Sequence, residues 1–253
     1  MLSPGLVSIT FRKINVAGII ALCQQHQLRS IEWGADVHCP WQDATVAQQV
    51  GEQTRDAGLA ISAYGSYYRL LKSAEEGMTF PLVLSAAQAL GAPCVRVWAG
   101  MQGSATATAE YRAALVAEAR TIASQAQAVG IKVAFEYHDR TLTDTNDSAR
   151  QLLTEIDHPN MRVFWQPHNG KDADYNCTGL TNVLPWVESV HCFHWYPESQ
   201  RLPLSAGQER WIRYLKILRP SGRDYPVCLE FVAGDTVEQL AADAATLHQW
   251  LGA

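Results

Sequence analysis

The chain has 253 residues, 47% of them hydrophobic, with a formal net charge of -5 and a pI near 5.9. That is enough apolar content for one large core, and an acidic balance with scattered basic residues gives no footprint for a nucleic-acid backbone or an anionic membrane. Six cysteines lack any CxxC pair, no apolar run reaches membrane-spanning length, and the start of the chain carries no basic, apolar leader. A cytoplasmic protein with reduced thiols is the expectation.

Leu6 to Thr10 reads as a first strand and Val16 to Gln27 as a helix with apolar residues at helical spacing. Arg29 to Gly34 is a second strand, followed by a helix from Ala44 to Ala57 that Gly58 stops. Ala60 to Tyr64 is a third, opening into the polar-aromatic loop Gly65-Ser66-Tyr67-Tyr68-Arg69, a candidate lid, before a helix over Phe80 to Leu90. Strand four spans Cys94 to Ala99 and precedes an Ala-rich helix from Ala107 to Val129. Lys132 to Glu136 is the fifth strand and Ser148 to Ile156 its helix. Met161 to Trp165 is the sixth, with a weaker helix over Thr178 to Val187. Ser189 to His194 then gives a seventh strand and Gln208 to Leu218 a helix. Tyr225 to Val232 is the eighth, and the closing helix, Thr236 to Leu251, starts with Thr236 and Gln239 at capping-box spacing.

Strands alternating with helices imply parallel pairing and right-handed crossovers. Eight such units without a linker or repeat predict one domain over residues 1–253, a single α/β (β/α)8 TIM barrel. An open doubly wound sheet would call for a glycine-rich phosphate loop after the first strand, and Thr10-Phe11-Arg12-Lys13 is not one.

Barrel active sites lie at the C-terminal ends of the strands. Gathered there are Glu32, Asp36 and His38 (second unit), Tyr64 and Arg69 (third), Trp98 (fourth), Glu136 and His138 (fifth) and Gln166 and His168 (sixth), with His194 and Glu230 after strands seven and eight. Two carboxylates, one imidazole and one amide oxygen converging from strands five to eight form a divalent-cation site: Glu136, Gln166, His194 and Glu230. The oxygen-rich set favours Mn2+, with Mg2+, Co2+ or Zn2+ admitted. The competing reading pairs Glu136 and Glu230 with Arg96 or Arg162 in a buried structural network. His191 is an odd number of positions from His194, faces the other way on a regular strand, and reads as structural. Trp33, Trp98 and Trp195 stand at strand ends, placed for core packing or for stacking on a sugar ring. Thr141 and Thr143 read as loop-capping residues.

Ile31-Glu32-Trp33-Gly34-Ala35-Asp36-Val37-His38, Tyr64 to Arg69, Val95 to Gly100 and Phe135 to Thr145 resemble the xylose-isomerase-like TIM-barrel superfamily, in its sugar phosphate isomerase/epimerase branch. Phe164 to His168 and Phe193-His194-Trp195 add to the likeness, which covers nearly the whole chain. The resemblance to ketose 3-epimerases implies that Glu136, Gln166, His194 and Glu230 hold the metal and that Glu136 and Glu230 are the catalytic acid and base. It also implies substrate contacts from His168 and Arg201. Trp98, Tyr64, Glu32 and His38 complete the candidate substrate-binding set. The departure from the pattern is Gln166, a neutral amide where the relatives place a carboxylate, which lowers the expected metal affinity. Alternatively His168 is the strand-six ligand, with Gln166 behind it.

The resulting expectation is a metal-dependent sugar isomerase or epimerase acting on a ketose or a related small polyol ketone through a cis-enediolate. The alternatives are a dehydratase of inosose or dehydroshikimate type and a non-catalytic carbohydrate-binding barrel. An abasic-site endonuclease of the same fold is disfavoured by the acidic surface and by too few histidines for a multi-zinc cluster. The partner expected is a small sugar rather than a nucleic acid or a membrane, and a homo-oligomer is left open.

Overall fold

A computed structural model describes residues 1–252. Eight parallel strands close into a barrel: β1 (Leu2–Val7), β2 (Ser30–Gly34), β3 (Ala60–Arg69), β4 (Cys94–Trp98), β5 (Lys132–Glu136), β6 (Met161–Trp165), β7 (Val187–Cys192) and β8 (Tyr225–Leu229). Each pairs with its neighbours in sequence, and β1 closes the ring against β8, Leu2 to Leu6 in register with Tyr225 to Leu229. Around it lie α1 (Val16–Gln25), α2 (Ala44–Asp56), α3 (Phe80–Leu90), α4 (Ala109–Gln127), α5 (Asn146–Ile156), α6 (Ala173–Val183), α7 (Gln208–Leu218) and α8 (Val237–Leu251). The predicted barrel is the observed one.

Alternation along each strand sorts the side chains. Ile31 and Trp33, Val95 and Val97, Val133 and Phe135, Val163 and Trp165, Val190 and Cys192, Val227 and Leu229 all join the main apolar cluster that packs the sheet against the helices. Between them stand the inward residues: a small cluster of Ala63, Cys94, Ala134 and Phe164, then, toward the C-terminal mouth, Glu32, Arg96, Glu136 and His191. The lining is crowded. A Cβ on Gly5 would meet Ser30 Oγ at 2.6 Å and Cys228 Sγ at 2.7 Å, so β1 reaches its neighbours only because position 5 is glycine.

Several boundaries differ from expectation, each for a local reason. The first strand runs Leu2–Val7 rather than Leu6 to Thr10, because pairing with β8 takes in Pro4 and Gly5, and Ser8–Phe11 form a 3-10 turn. The third continues to Arg69 with an irregularity between Gly65 and Tyr68, where Tyr67 has a left-handed φ of 59°. The sixth helix starts earlier, at Ala173, since the Asp172 side chain accepts from Tyr175 N–H, and it yields to a 3-10 turn containing Pro185. Thr236 caps α8 by accepting from Gln239 N–H, but the Gln239 side chain turns to Asp243, so only half of the capping box forms.

All six cysteines are free. Among the described residues no helix is long and apolar enough to cross a membrane.

Candidate metal centre and active site

Four strand ends deliver the centre. Glu136 closes β5, Gln166 follows β6, His191 is the inward residue near the end of β7, and Glu230 follows β8 with its N–H donated to Cys192 O at 3.1 Å. The loop after β5 is held down by Thr143, whose hydroxyl donates to Glu136 O at 2.6 Å, and by Thr141, which donates to His138 O at 2.7 Å.

His191 Nδ1 faces three oxygens: Gln166 Oε1 at 3.0 Å, Glu230 Oε2 at 3.5 Å and Glu136 Oε1 at 3.7 Å. One donor atom from each of Glu136, His191 and Glu230 lies within 4.8 Å of the others, and all three residues are buried. Two carboxylates and an imidazole fit a divalent transition-metal ion or Mg2+, and the Gln166 amide oxygen supplies a fourth donor. Gln166 is fixed by donating from Nε2 to Tyr137 O at 2.6 Å. Of the two strand-six candidates, Gln166 is the one that meets His191 Nδ1.

Glu32 and Arg96 extend the network. Glu32 is fully buried and accepts from Arg96 Nε at 2.5 Å and from His191 Nε2 at 2.8 Å. Glu136 Oε2 accepts from Arg96 Nη1 and from Trp98 Nε1, the latter at 2.6 Å. Burial alone would make the His191 imidazolium less stable, yet Glu230 and Glu32 reverse this and raise its pKa to about 10. Burial likewise disfavours the Glu32 carboxylate, and Arg96 and His191 overcome it, bringing its pKa to about 2. Gly65 lies against this network: a Cβ there would meet Arg96 Nη2 at 2.7 Å and Glu32 Oε1 at 2.9 Å.

A chamber of about 280 Å³ opens above the centre, lined among others by Glu136, His138, Gln166, His168, Trp195 and Glu230. Trp98 stacks on His138 with ring centroids 4.2 Å apart. His168, buried and stacked on Tyr137, leaves Nε2 without a protein partner, and desolvation lowers its pKa to about 4, so it meets a ligand as neutral imidazole.

Other sequence candidates lie elsewhere. His194 is not with the carboxylates: β7 ends at Cys192, the chain turns out at Phe193, and His194 begins a two-residue strand paired antiparallel with Arg201–Leu202. Its ring packs on Gly207, where an added Cβ would lie 2.7 Å from it, and burial and Arg210 lower its pKa. His191, read from the sequence as structural, takes the place at the centre. Tyr64 faces the helices and donates to Cys39 O at 2.9 Å; Trp33 does likewise toward Thr54 at 3.0 Å. His38 bridges Ser8 Oγ and Ile14 O, tying two loops rather than lining the chamber. Glu32 lies beneath the centre rather than in the substrate's path. Arg201 pairs with Asp235 at 2.5 Å and lies over Phe231, lining a neighbouring cavity. Of the possible arginine caps, Arg96 does hold Glu136, whereas Arg162 lies near Glu188 at the opposite end of the barrel.

The profile described as the xylose isomerase-like TIM barrel matches residues 20–252. The chain belongs to that family. A curated relative, a 3-dehydroshikimate dehydratase of Bacillus anthracis, is 26% identical over 200 residues, covering 74% of this chain and 70% of its own. Among solved structures, a probable 3-DHS dehydratase of Bacillus anthracis superposes with a TM-score of 0.82 at 20% identity, over 98% of each chain. A D-tagatose 3-epimerase-like protein superposes with a TM-score of 0.78 at 16% identity, covering 99% of this chain and 97% of that one. Proteins of this fold thus carry names from two reaction classes.

Proposed function

We propose that this chain is a divalent-metal-dependent dehydratase that removes water from a small cyclic β-hydroxy ketone bearing a carboxylate, of the 3-dehydroshikimate kind. The observation that carries the reading is the unequal state of the two glutamates. Glu136 Oε2 is engaged by both Arg96 and Trp98, whereas among the described residues Glu230 has His191 as its one basic side chain within 4.0 Å. Inverting a carbon by proton exchange on both faces calls for two carboxylates free to trade a proton. Here one is free, which suits a single base acting next to a carbonyl.

A divalent ion held by Glu136, Gln166, His191 and Glu230 would polarise the ketone oxygen as a Lewis acid. Glu230 takes the proton on the carbon beside the carbonyl. The β C–O bond then breaks, and His138, in the chamber next to Glu136, gives the departing hydroxyl its proton to make water. Arg96 and Trp98 hold the Glu136 carboxylate in place. Neutral His168 is placed to hydrogen-bond a substrate oxygen. Arg69, over Trp98, supplies a cation for an acidic substrate. With 3-dehydroshikimate, loss of one water and a ring tautomerisation give 3,4-dihydroxybenzoate.

The likeness to the epimerase-like structure, and two glutamates brought to one imidazole from different strands, support a second reading as a ketose isomerase or epimerase. One experiment separates them. Protein loaded with Mn2+, Mg2+ or Co2+ is given 3-dehydroshikimate, and separately a ketose panel in D2O. Growth of a catechol ultraviolet band is expected. Deuterium entering a ketose without loss of water, and no reaction with 3-dehydroshikimate, would replace the dehydratase reading with the second.

A further inference from the structure

Glu32 belongs to β2, across the barrel from the strands that carry the ligand set. It is 0% exposed and is not among the residues that line the chamber. Burying a third carboxylate within reach of two others is costly unless each oxygen has a charged donor. Each does. Oε2 takes the Nε2 hydrogen of His191 and Oε1 takes the Nε hydrogen of Arg96.

The two bonds act on the centre from opposite sides. Holding Nε2–H leaves Nδ1 as the imidazole atom directed at Glu136, Gln166 and Glu230. Holding Arg96 by Nε leaves Nη1 to reach Glu136 Oε2, so the Glu136 oxygen near His191 is Oε1. One carboxylate thus sets the ring orientation of the nitrogen ligand and the choice of oxygen on an acidic ligand. Metal-bound imidazoles generally depend on such a carboxylate partner behind them. A purely structural ion pair would need the Arg96 contact alone.

We infer that Glu32 is a positioning residue for the metal centre, fixing His191 to bind through Nδ1 and steering Glu136 through Arg96. This rests on the metal site proposed above and adds to it a residue from outside the ligand strands.

The test measures metal affinity, not turnover. Mn2+ binding is titrated calorimetrically in wild type, Glu32→Gln and Glu32→Asp, with Glu188→Gln, far from the centre, as the control for general destabilisation. Loss of about 10- to 100-fold in affinity is expected for both Glu32 variants, with the control unchanged. In parallel, the His191 nitrogens of Zn2+-loaded wild type are assigned by NMR, with Nε2 protonated and Nδ1 metal-bound as the expected result. Wild-type affinity in both Glu32 variants, or a metal-bound Nε2, overturns the inference. Should the variants fail to fold, the wild-type NMR assignment decides it alone. Wild type that takes up no metal would instead overturn the site itself.

Discussion

The barrel encloses two charged clusters, one at each end, and they are built on opposite principles. At the N-terminal end a single carboxylate, Glu188, faces Lys132 at 2.7 Å and Arg162 and Arg223 at 4.0 Å, with the cations partly open to solvent. At the C-terminal end three carboxylates, Glu32, Glu136 and Glu230, face Arg96 and His191, and all five are buried. The first cluster has an excess of cations that water can screen, so it closes the barrel floor and contributes little to stability. The second keeps an excess of negative charge away from water, which persists only where a further cation can join. Burial plus imbalance, rather than charge alone, separates a site from a plug.

The largest test of that contrast is Glu230→Gln, which removes the free base and a metal ligand. Turnover should fall about a thousandfold or more, measured as initial rate under saturating metal, with folding monitored by circular dichroism. The second pits the two histidines against each other. His191→Gln should weaken Mn2+ binding by at least tenfold, whereas His194→Gln, whose ring packs on Gly207, should leave it unchanged; calorimetry reads both. Equal losses would place the centre elsewhere.

The third uses pH. A proton held by His191 up to about pH 10 must leave before Nδ1 can bind a metal. Metal affinity should therefore rise by up to about tenfold per pH unit until it levels off near 10. The sign for the metal-free protein is opposite. A raised imidazole pKa contributes stability that is complete below 6.5 and lost as pH rises through 10. Urea midpoints should therefore fall between neutral and alkaline pH without metal and stay level at saturating metal, where the gain in affinity offsets the loss. The smallest effect is expected at the other cluster, where Glu188→Gln should shift stability by under about 1 kcal/mol and leave metal affinity alone.

Much of this was legible in the sequence because strand parity carries so much information. In β5 the order Val133-Ala134-Phe135-Glu136 puts the carboxylate on the inward side, and Glu230 follows Cys228 in the same way. Four elements, α3, β5, β6 and α7, have the predicted limits. Parity also placed His191 and His194 on opposite sides, but choosing between them needed the point where β7 stops. The signal was present: Ser189-Val190-His191-Cys192 alternates polar and apolar, with Val190 and Cys192 in the outer core. Resemblance by motif favoured His194, two residues beyond the strand's end. The role of Glu32 was hidden for another reason. Nothing local to β2 reveals that its inward oxygens meet groups from β4 and β7, since only closure of the barrel brings those strands together.

Gly65 lies in an ordinary strand conformation, yet any side chain there would intrude on Arg96 and Glu32. Its bareness is thus the room that the charged network needs. An alanine at 65 would act like an edit to the ligand set, disturbing metal uptake through Arg96 and Glu32. A mutational survey that scored such a loss as a folding defect would misread the map of the centre by one whole strand.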